Sequence, residues 1–290
     1  MMISYNRTLY YLLLLLMMSG CGGGGGVNVA ERPAPDTGIL VFVRDGNRLM
    51  TIRPDGTQEQ EIPLTNAPSR LFDPVWNTKR TQIAFSGGPD SFETELYLVN
   101  RRGGEPQRLT NHPSYDGTPC WDVEGESLSW VTSKGNRGRQ EVGEEVWLLP
   151  LIQGAVQQLT SDAIIAQTPT RSPKNELVYT NHKGELRLWN GNNTSRALGA
   201  NGNQAAWSPD GTRIAFIQNG DVWTMRISDG TVAQVTNTPA QEEATPSWSP
   251  DSTQLSFAAK GNLYLVVAMG GTPQVLLSTG RDSFPNWTRK

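Results

Sequence analysis

Apolar residues in this chain come in short runs, each closed off by glycine, proline, asparagine or aspartate. Ile83-Ala84-Phe85 is followed by Leu96-Tyr97-Leu98, Ile214-Ala215-Phe216 by Val222-Trp223-Thr224, and Leu255-Ser256-Phe257 by Leu263-Tyr264-Leu265. Val146-Trp147-Leu148 and Leu186-Arg187-Leu188 have the same form. Runs this short, bounded by turn formers and rich in branched and aromatic residues, read as strands. Past the N-terminal leader no window follows a helical period, so the chain is expected to be all-β.

The runs recur with a period near 40 residues. Trp207-Ser208-Pro209-Asp210-Gly211-Thr212-Arg213-Ile214-Ala215-Phe216 returns 41 residues later as Trp248-Ser249-Pro250-Asp251-Ser252-Thr253-Gln254-Leu255-Ser256-Phe257. Weaker copies begin at Trp76, Trp121, Arg171 and Trp287. Ser208-Pro209-Asp210-Gly211 fits a type I turn, with proline fixing φ at the second position and glycine at the fourth. Trp207 therefore ends a strand a, and Ile214 opens a strand b. Strand c follows, then a glycine-containing turn such as Arg102-Gly103-Gly104 or Ser228-Asp229-Gly230. Leu109-Thr110-Asn111, Leu159-Thr160-Ser161 and Val235-Thr236-Asn237 are expected to be strands d. Four antiparallel strands per repeat of this length make a β-propeller blade. Residues 38–66 hold strands b (Ile39–Val43), c (Arg48–Ile52) and d (Ile62–Thr65) but no strand a, whereas the C-terminus supplies a lone strand a at Phe284–Thr288. Joining them gives a six-bladed β-propeller of four-stranded antiparallel blades. The C-terminal strand closes the ring on the N-terminal blade, which leaves no long exposed edge.

These residues resemble the WD-like repeats of TolB-type propellers, whose pattern W-S-P-D-G-x-x-I/L-A/S-F is followed by L-Y and L-T-N. The resemblance runs from Gly38 to Lys290. Blades 5 and 6 match it closely. Blade 2 has Asn77-Thr78-Lys79 in its turn, blade 3 has Asp122-Val123-Glu124-Gly125, and blade 4 starts on Arg171 and is one residue shorter before Tyr179. The resemblance implies a protein-binding propeller without catalysis. Periplasmic TolB carries an additional N-terminal α/β domain where this chain has a tether, so a role in the Tol system is not implied.

Residues 1–20 are expected to be a signal peptide. Arg7 precedes an apolar run, Leu9–Met18, that is too short to stay as a membrane span. Met18-Ser19-Gly20-Cys21 resembles the bacterial lipoprotein signal, which implies cleavage before Cys21 and lipidation of Cys21. Residues 21–37, with glycine from Gly22 through Gly26, read as a flexible tether spanning about 20–25 Å. By the same resemblance, Gly22 points to the outer membrane facing the periplasm rather than to the inner membrane or the cell surface. Residues 38–290 are left for the propeller.

The chain carries 25 basic and 28 acidic side chains, a net charge of −3, and losing Arg7 makes the remainder more negative. That balance argues against a nucleic-acid partner, which needs a clustered basic footprint. With Cys21 lipidated, no second cysteine remains to form a disulfide with Cys120, which stands beside Trp121 and is expected to be a small buried hydrophobe. A monomer is expected.

In such a blade the a–b and c–d turns share one face, and the b–c loops and d–a connections share the other. The two longest loops, Ser86–Glu95 and Thr132–Glu145, are both b–c loops. The d–a connections bring Arg70 and Asp73, Tyr115 and Asp116, Glu242 and Glu243, and Arg281 and Asp282 to that same face. One reading is a channel mouth ringed by acids and interrupted by arginines, suited to a cationic or mixed-charge peptide. The other is that short acidic side chains only cap and solvate tight connections. Converging carboxylates can hold Ca²⁺, but no D-x-D-x-D-G run is present, and neither metal nor cofactor is expected. Lys134, Arg137 and Arg139 are balanced by Glu141, Glu144 and Glu145 and read as a solvated loop. The repeated tryptophans are expected between blades.

Enzyme chemistry has little to stand on. His112 and His182 have no cysteine or second histidine at ligand spacing. There is no G-x-S-x-G elbow, and the α/β hydrolase domain that accompanies such propellers in some peptidases has no residues to occupy. A glycosidase needs a carboxylate pair across the channel, for which Asp116 and Glu243 are the nearest candidates. S-P-D-G-T does not match the sialidase S-x-D-x-G-x-T-W. The expectation is a non-enzymatic, lipid-anchored envelope protein that binds a protein or peptide on its loop face and channel mouth. The alternative is a carbohydrate-active enzyme or glycan binder using the same channel.

Overall fold

The computed structural model describes residues 38–112, 115–133, 144–160, 167–191, 194–238 and 242–288. The leader and tether, with Cys21, lie outside the described residues, as do Lys134, Arg137, Arg139 and Glu141. Among the described residues there are 24 strands, β1 to β24 in chain order, and no helix. They form six four-stranded antiparallel sheets.

Blade 1 combines β1 (Leu40–Arg44), β2 (Arg48–Ile52) and β3 (Gln60–Ile62) with β24 (Asp282–Trp287) from the other end of the chain. The innermost strands of blades 2 to 6 are β4 (Arg70–Trp76), β8 (Asp116–Trp121), β12 (Gln167–Arg171), β16 (Asn203–Trp207) and β20 (Glu243–Trp248). Each innermost strand contacts the next around the circle, and β24 contacts β4, which completes the ring. At the closure Leu40 faces Trp287 and Arg44 faces Asp282. The Thr288 N–H donates to the Ile39 carbonyl at 2.9 Å, and the Ile39 N–H donates to Thr288 Oγ1 at 3.1 Å.

The core lies between blades rather than within them. Trp207 packs with Val178 and Leu186 of the blade before it, and Trp248 with Ala215 and Val222. Trp76 lies with Val41 and Leu49, Trp121 with Ala84 and Leu98, and Trp287 with Ala258 and Leu263. All five tryptophans are buried, as their repetition leads one to expect. In blade 4 the buried Arg171 takes the tryptophan's place. Its guanidinium reaches Ser129 Oγ of blade 3 at 2.7 Å and the Asn175 carbonyl at 3.0 Å. Cys120 is buried in β8.

A second device joins neighbours. The b–c turn of one blade offers a carbonyl to the start of the next innermost strand. Leu71 N–H donates to Gly46 O (2.8 Å), Asp116 to Thr94 O (2.9 Å), Glu243 to Gly220 O (3.1 Å) and Asp282 to Gly261 O (2.9 Å). Gly261, at φ 75°, is packed so closely that a Cβ there would come within 2.3 Å of the Gly280 backbone. The b–c turns and d–a connections therefore share one rim.

Two expectations are corrected. The outermost strands begin before the L-T motifs: β7 is Gln107–Arg108, β11 is Gln157–Gln158 and β19 is Val232–Gln234. The threonine that follows turns inward instead. Thr110, Thr160 and Thr236 accept the N–H of Leu96, Val146 and Val222 at 2.8–3.0 Å, capping strand c. The long loop of blade 2 is also shorter than Ser86–Glu95, because β5 (Gln82–Gly88) runs on to pair Gly88 with Arg70.

Candidate functional site

Every innermost strand is interrupted by a β-bulge. The bulged residue has positive φ in each: Asp73 (47°), Thr118 (50°), Thr168 (41°), Gln204 (52°), Thr245 (53°) and Phe284 (55°). Proline follows in all but one, where Ala205 stands. Proline gives no N–H to a ladder, so the strand departs from regular pairing there. A left-handed conformation at a non-glycine residue costs about 1–3 kcal/mol, which the closed ring imposes at all six positions. The six residues are half-buried and line a central lumen together with the tryptophans and the residues just before them. The cavity between these walls has a volume of about 130 Å³.

The bulged side chains reach around the ring. Gln204 Oε1 accepts the Thr245 N–H at 2.6 Å, Thr168 Oγ1 accepts the Ala205 N–H at 3.2 Å, and the Asp73 carboxyl accepts the Thr118 N–H. Asp73 is the one charged residue on the described lumen wall. It keeps some contact with the lumen but is surrounded by protein. Desolvation therefore pushes its carboxyl up to about 6, against the downward pull of the Thr118 N–H. The rings of Phe72 and Phe284 meet edge to face, 6.0 Å apart. Tyr115 lies over Gly117, where a Cβ would meet its hydroxyl at 2.2 Å. Burial, then the charge of Asp73, push the Tyr115 phenol up.

The remaining rim candidates divide by exposure. Asp116, Glu243 and Asp282 are buried, and their oxygens are engaged inside the protein. Asp116 accepts the Trp130 indole N–H at 3.0 Å. Glu243 accepts the Val222 N–H at 2.9 Å, the Thr238 hydroxyl at 2.6 Å and the Thr236 hydroxyl, so it ties blade 5 to blade 6. Burial raises the carboxyls of both Asp116 and Glu243. Asp282 takes a two-pronged pair from the buried Arg44, at 2.6 and 3.2 Å across the closure, and the Thr279 hydroxyl at 2.6 Å. The Asp282 carboxylate in turn raises the Arg44 guanidinium. These three acids hold the connections, which is the capping role. Arg70, Glu242 and Arg281 are exposed on the rim, with Arg281 3.2 Å from Asp45. Among the described residues no group of three or more His, Cys, Asp or Glu gathers as a metal site.

No family model matches the chain. A Bacillus subtilis (strain 168) protein described as "Uncharacterized peptidase YuxL" is 23% identical over 199 residues. That match covers 61% of this chain but only 29% of the length of that relative. Among solved structures, TolB from Acinetobacter baumannii matches with a TM-score of 0.73 at 20% identity, over 89% of this chain and 68% of that one. The fold is that of a TolB-type six-bladed propeller. A chain from a nidogen/laminin complex shares the fold with a TM-score of 0.69 at 10% identity, over 86% of this chain and 98% of its own. An oligogalacturonate lyase in complex with manganese does so at 0.56 and 16% identity, over 81% and 75%. A similar fold thus recurs in proteins named for different activities, and chemistry has to be argued from the site.

The lumen ring escaped the sequence reading, although its signal is present. Asp73-Pro74-Val75-Trp76, Thr118-Pro119-Cys120-Trp121, Thr245-Pro246-Ser247-Trp248 and Phe284-Pro285-Asn286-Trp287 share an x-Pro-x-Trp pattern. A proline inside a strand marks a bulge, and the residue before it is the one that varies.

Proposed function

We propose that this chain is a non-catalytic, lipid-anchored envelope protein whose propeller binds a protein or peptide partner across the loop rim and lumen mouth. The exposed mixed charge of the rim supports this reading, and the lumen weighs against the glycosidase alternative. The described lumen wall holds one carboxylate, Asp73, among neutral residues, whereas glycoside hydrolysis uses two carboxyls about 5–10 Å apart. Asp116 and Glu243, the pair that sequence offered for that chemistry, are buried and held by internal donors. Exposed Arg70, Glu242 and Arg281 give the rim its mixed charge, and we assign them to the partner surface. Asp116, Glu243 and Asp282 contribute by fixing the connections beneath, and Asp73 and Tyr115 lie at the inner edge. Lipid on Cys21 holds the propeller to the outer membrane, facing the periplasm.

The test is chemical cross-linking in the native envelope, followed by mass spectrometry. The expected result is a discrete protein adduct that disappears in an Arg70→Glu, Arg281→Glu double variant. Recovery of no protein partner, or an adduct indifferent to those charges, overturns the proposal.

A further inference from the structure

The six bulge positions are equivalent by the symmetry of the ring, yet only one carries a charge. Threonine at 118, 168 and 245, glutamine at 204 and phenylalanine at 284 show that the scaffold accepts neutral side chains of several shapes there. Asp73 is not needed to shape the bulge, and its ionised form is disfavoured by its surroundings. No cation faces it from the described lumen wall. Among the described residues the donor to its carboxylate is the Thr118 N–H, and a carboxylate can accept more than one hydrogen bond. A carboxylate placed this way costs stability, and such groups gather at functional sites.

What surrounds it defines the ligand chemistry. Phe284 occupies the equivalent bulge of blade 1 and, with the tryptophans that end the innermost strands, gives the lumen an aromatic wall. Aromatic residues on the same wall as a carboxylate favour an organic cation, through ring quadrupoles added to the charge pair. Neighbouring hydroxyl and amide groups on the wall suit the amide backbone that accompanies such a cation. A divalent metal fits poorly, because hard cations require several oxygens and the lumen offers one carboxylate.

We propose that the lumen is a binding site for a primary ammonium group joined to amide backbone, with Asp73 as its counter-ion and Phe284 among the aromatic residues of its wall. The group can come from a peptide amino terminus or from a lysine side chain; both present the same cation beside peptide carbonyls. This deepens the partner-binding reading by naming what enters the lumen.

Titration calorimetry on the full chain at neutral pH tests it with three short alanine peptides. One has a free amino terminus, one is acetylated and contains lysine, and one is acetylated and uncharged. At least one ammonium peptide is expected to bind tenfold or more tightly than the uncharged one, and Asp73→Asn is expected to remove that difference. Binding of the first peptide alone assigns the site to chain termini, and binding of the second alone to lysine. Equal binding of the uncharged peptide, unchanged binding by Asp73→Asn, or no binding tighter than about 1 mM by either cation overturns the proposal. Envelope cross-links from the rim do not depend on Asp73. Their loss with ammonium binding intact therefore sinks only the partner reading, and the reverse pattern sinks only the lumen site.

Discussion

At Asp73 the charge and the fold oppose each other, and the sign of the effect can be worked out. The folded carboxyl sits at about 6, above its ordinary value of 3.8. Between those values the folded protein binds more protons than the unfolded chain, so stability falls as pH rises through this window. Above it the ionised group costs up to about 2–3 kcal/mol. Tyr115, the titratable neighbour its charge reaches, is raised and stays protonated throughout. Asp73→Asn should therefore stabilise the protein by about that amount at pH 8 and by little at pH 3–4, measured by urea unfolding at each pH. Equal effects at both ends would mean that the carboxyl is not shifted. The repeated tryptophans make the opposite prediction. Trp248→Ala leaves a cavity against Ala215 and Val222 and should cost about 3–5 kcal/mol in the same assay, with no pH dependence.

Among the elements, β24 has the most to lose. It joins the two ends of the chain through its pairing with β1, the Thr288–Ile39 bonds and the Arg44–Asp282 pair. Truncation after Ser283 removes most of that strand, including Trp287, and leaves β1 and β4 without their neighbour. The expected outcome is loss of the cooperative melt in circular dichroism; a sharp transition near the full-length temperature would show that the ring does not depend on closure. Asp282→Ala keeps the strand but leaves a buried guanidinium with Glu59 as its remaining acid among the described residues, and should cost about 2–4 kcal/mol. Most of this architecture was legible in sequence because turn chemistry is local. Ser208-Pro209-Asp210-Gly211 turns as its residues dictate, with the Gly211 N–H on the Ser208 carbonyl at 2.9 Å. The outermost strands were misplaced because Leu109-Thr110 and Val235-Thr236 have strand-like composition but act as caps. That role depends on the hydrogen bond each threonine accepts from the backbone of strand c, which composition does not show.

For the molecule as a whole, the repeat builds the scaffold and the departures from it supply the candidate chemistry. The d–a connections were legible as the place where charged residues gather. What could not be read was which of them turn inward: Asp116, Glu243 and Asp282 look like Glu242 and Arg281 in sequence, and only packing separates the buried acids from the exposed rim. The lumen site was hidden for the same reason, since Asp73 becomes singular only when six distant positions are set in one circle. Anchoring is tested separately by Cys21→Ala, which should abolish labelling by a radiolabelled fatty acid and release the protein from membranes. The central claim is that binding occurs on the loop rim and not on the face of the Ser-Pro-Asp-Gly turns. Its most direct measurement places a photo-cross-linking residue at Glu242 or Arg70 on the rim, or at Asp210 on the opposite face, in living cells. The account predicts one partner adduct from both rim positions and none from Asp210. Adducts from Asp210 with silent rim positions would contradict it.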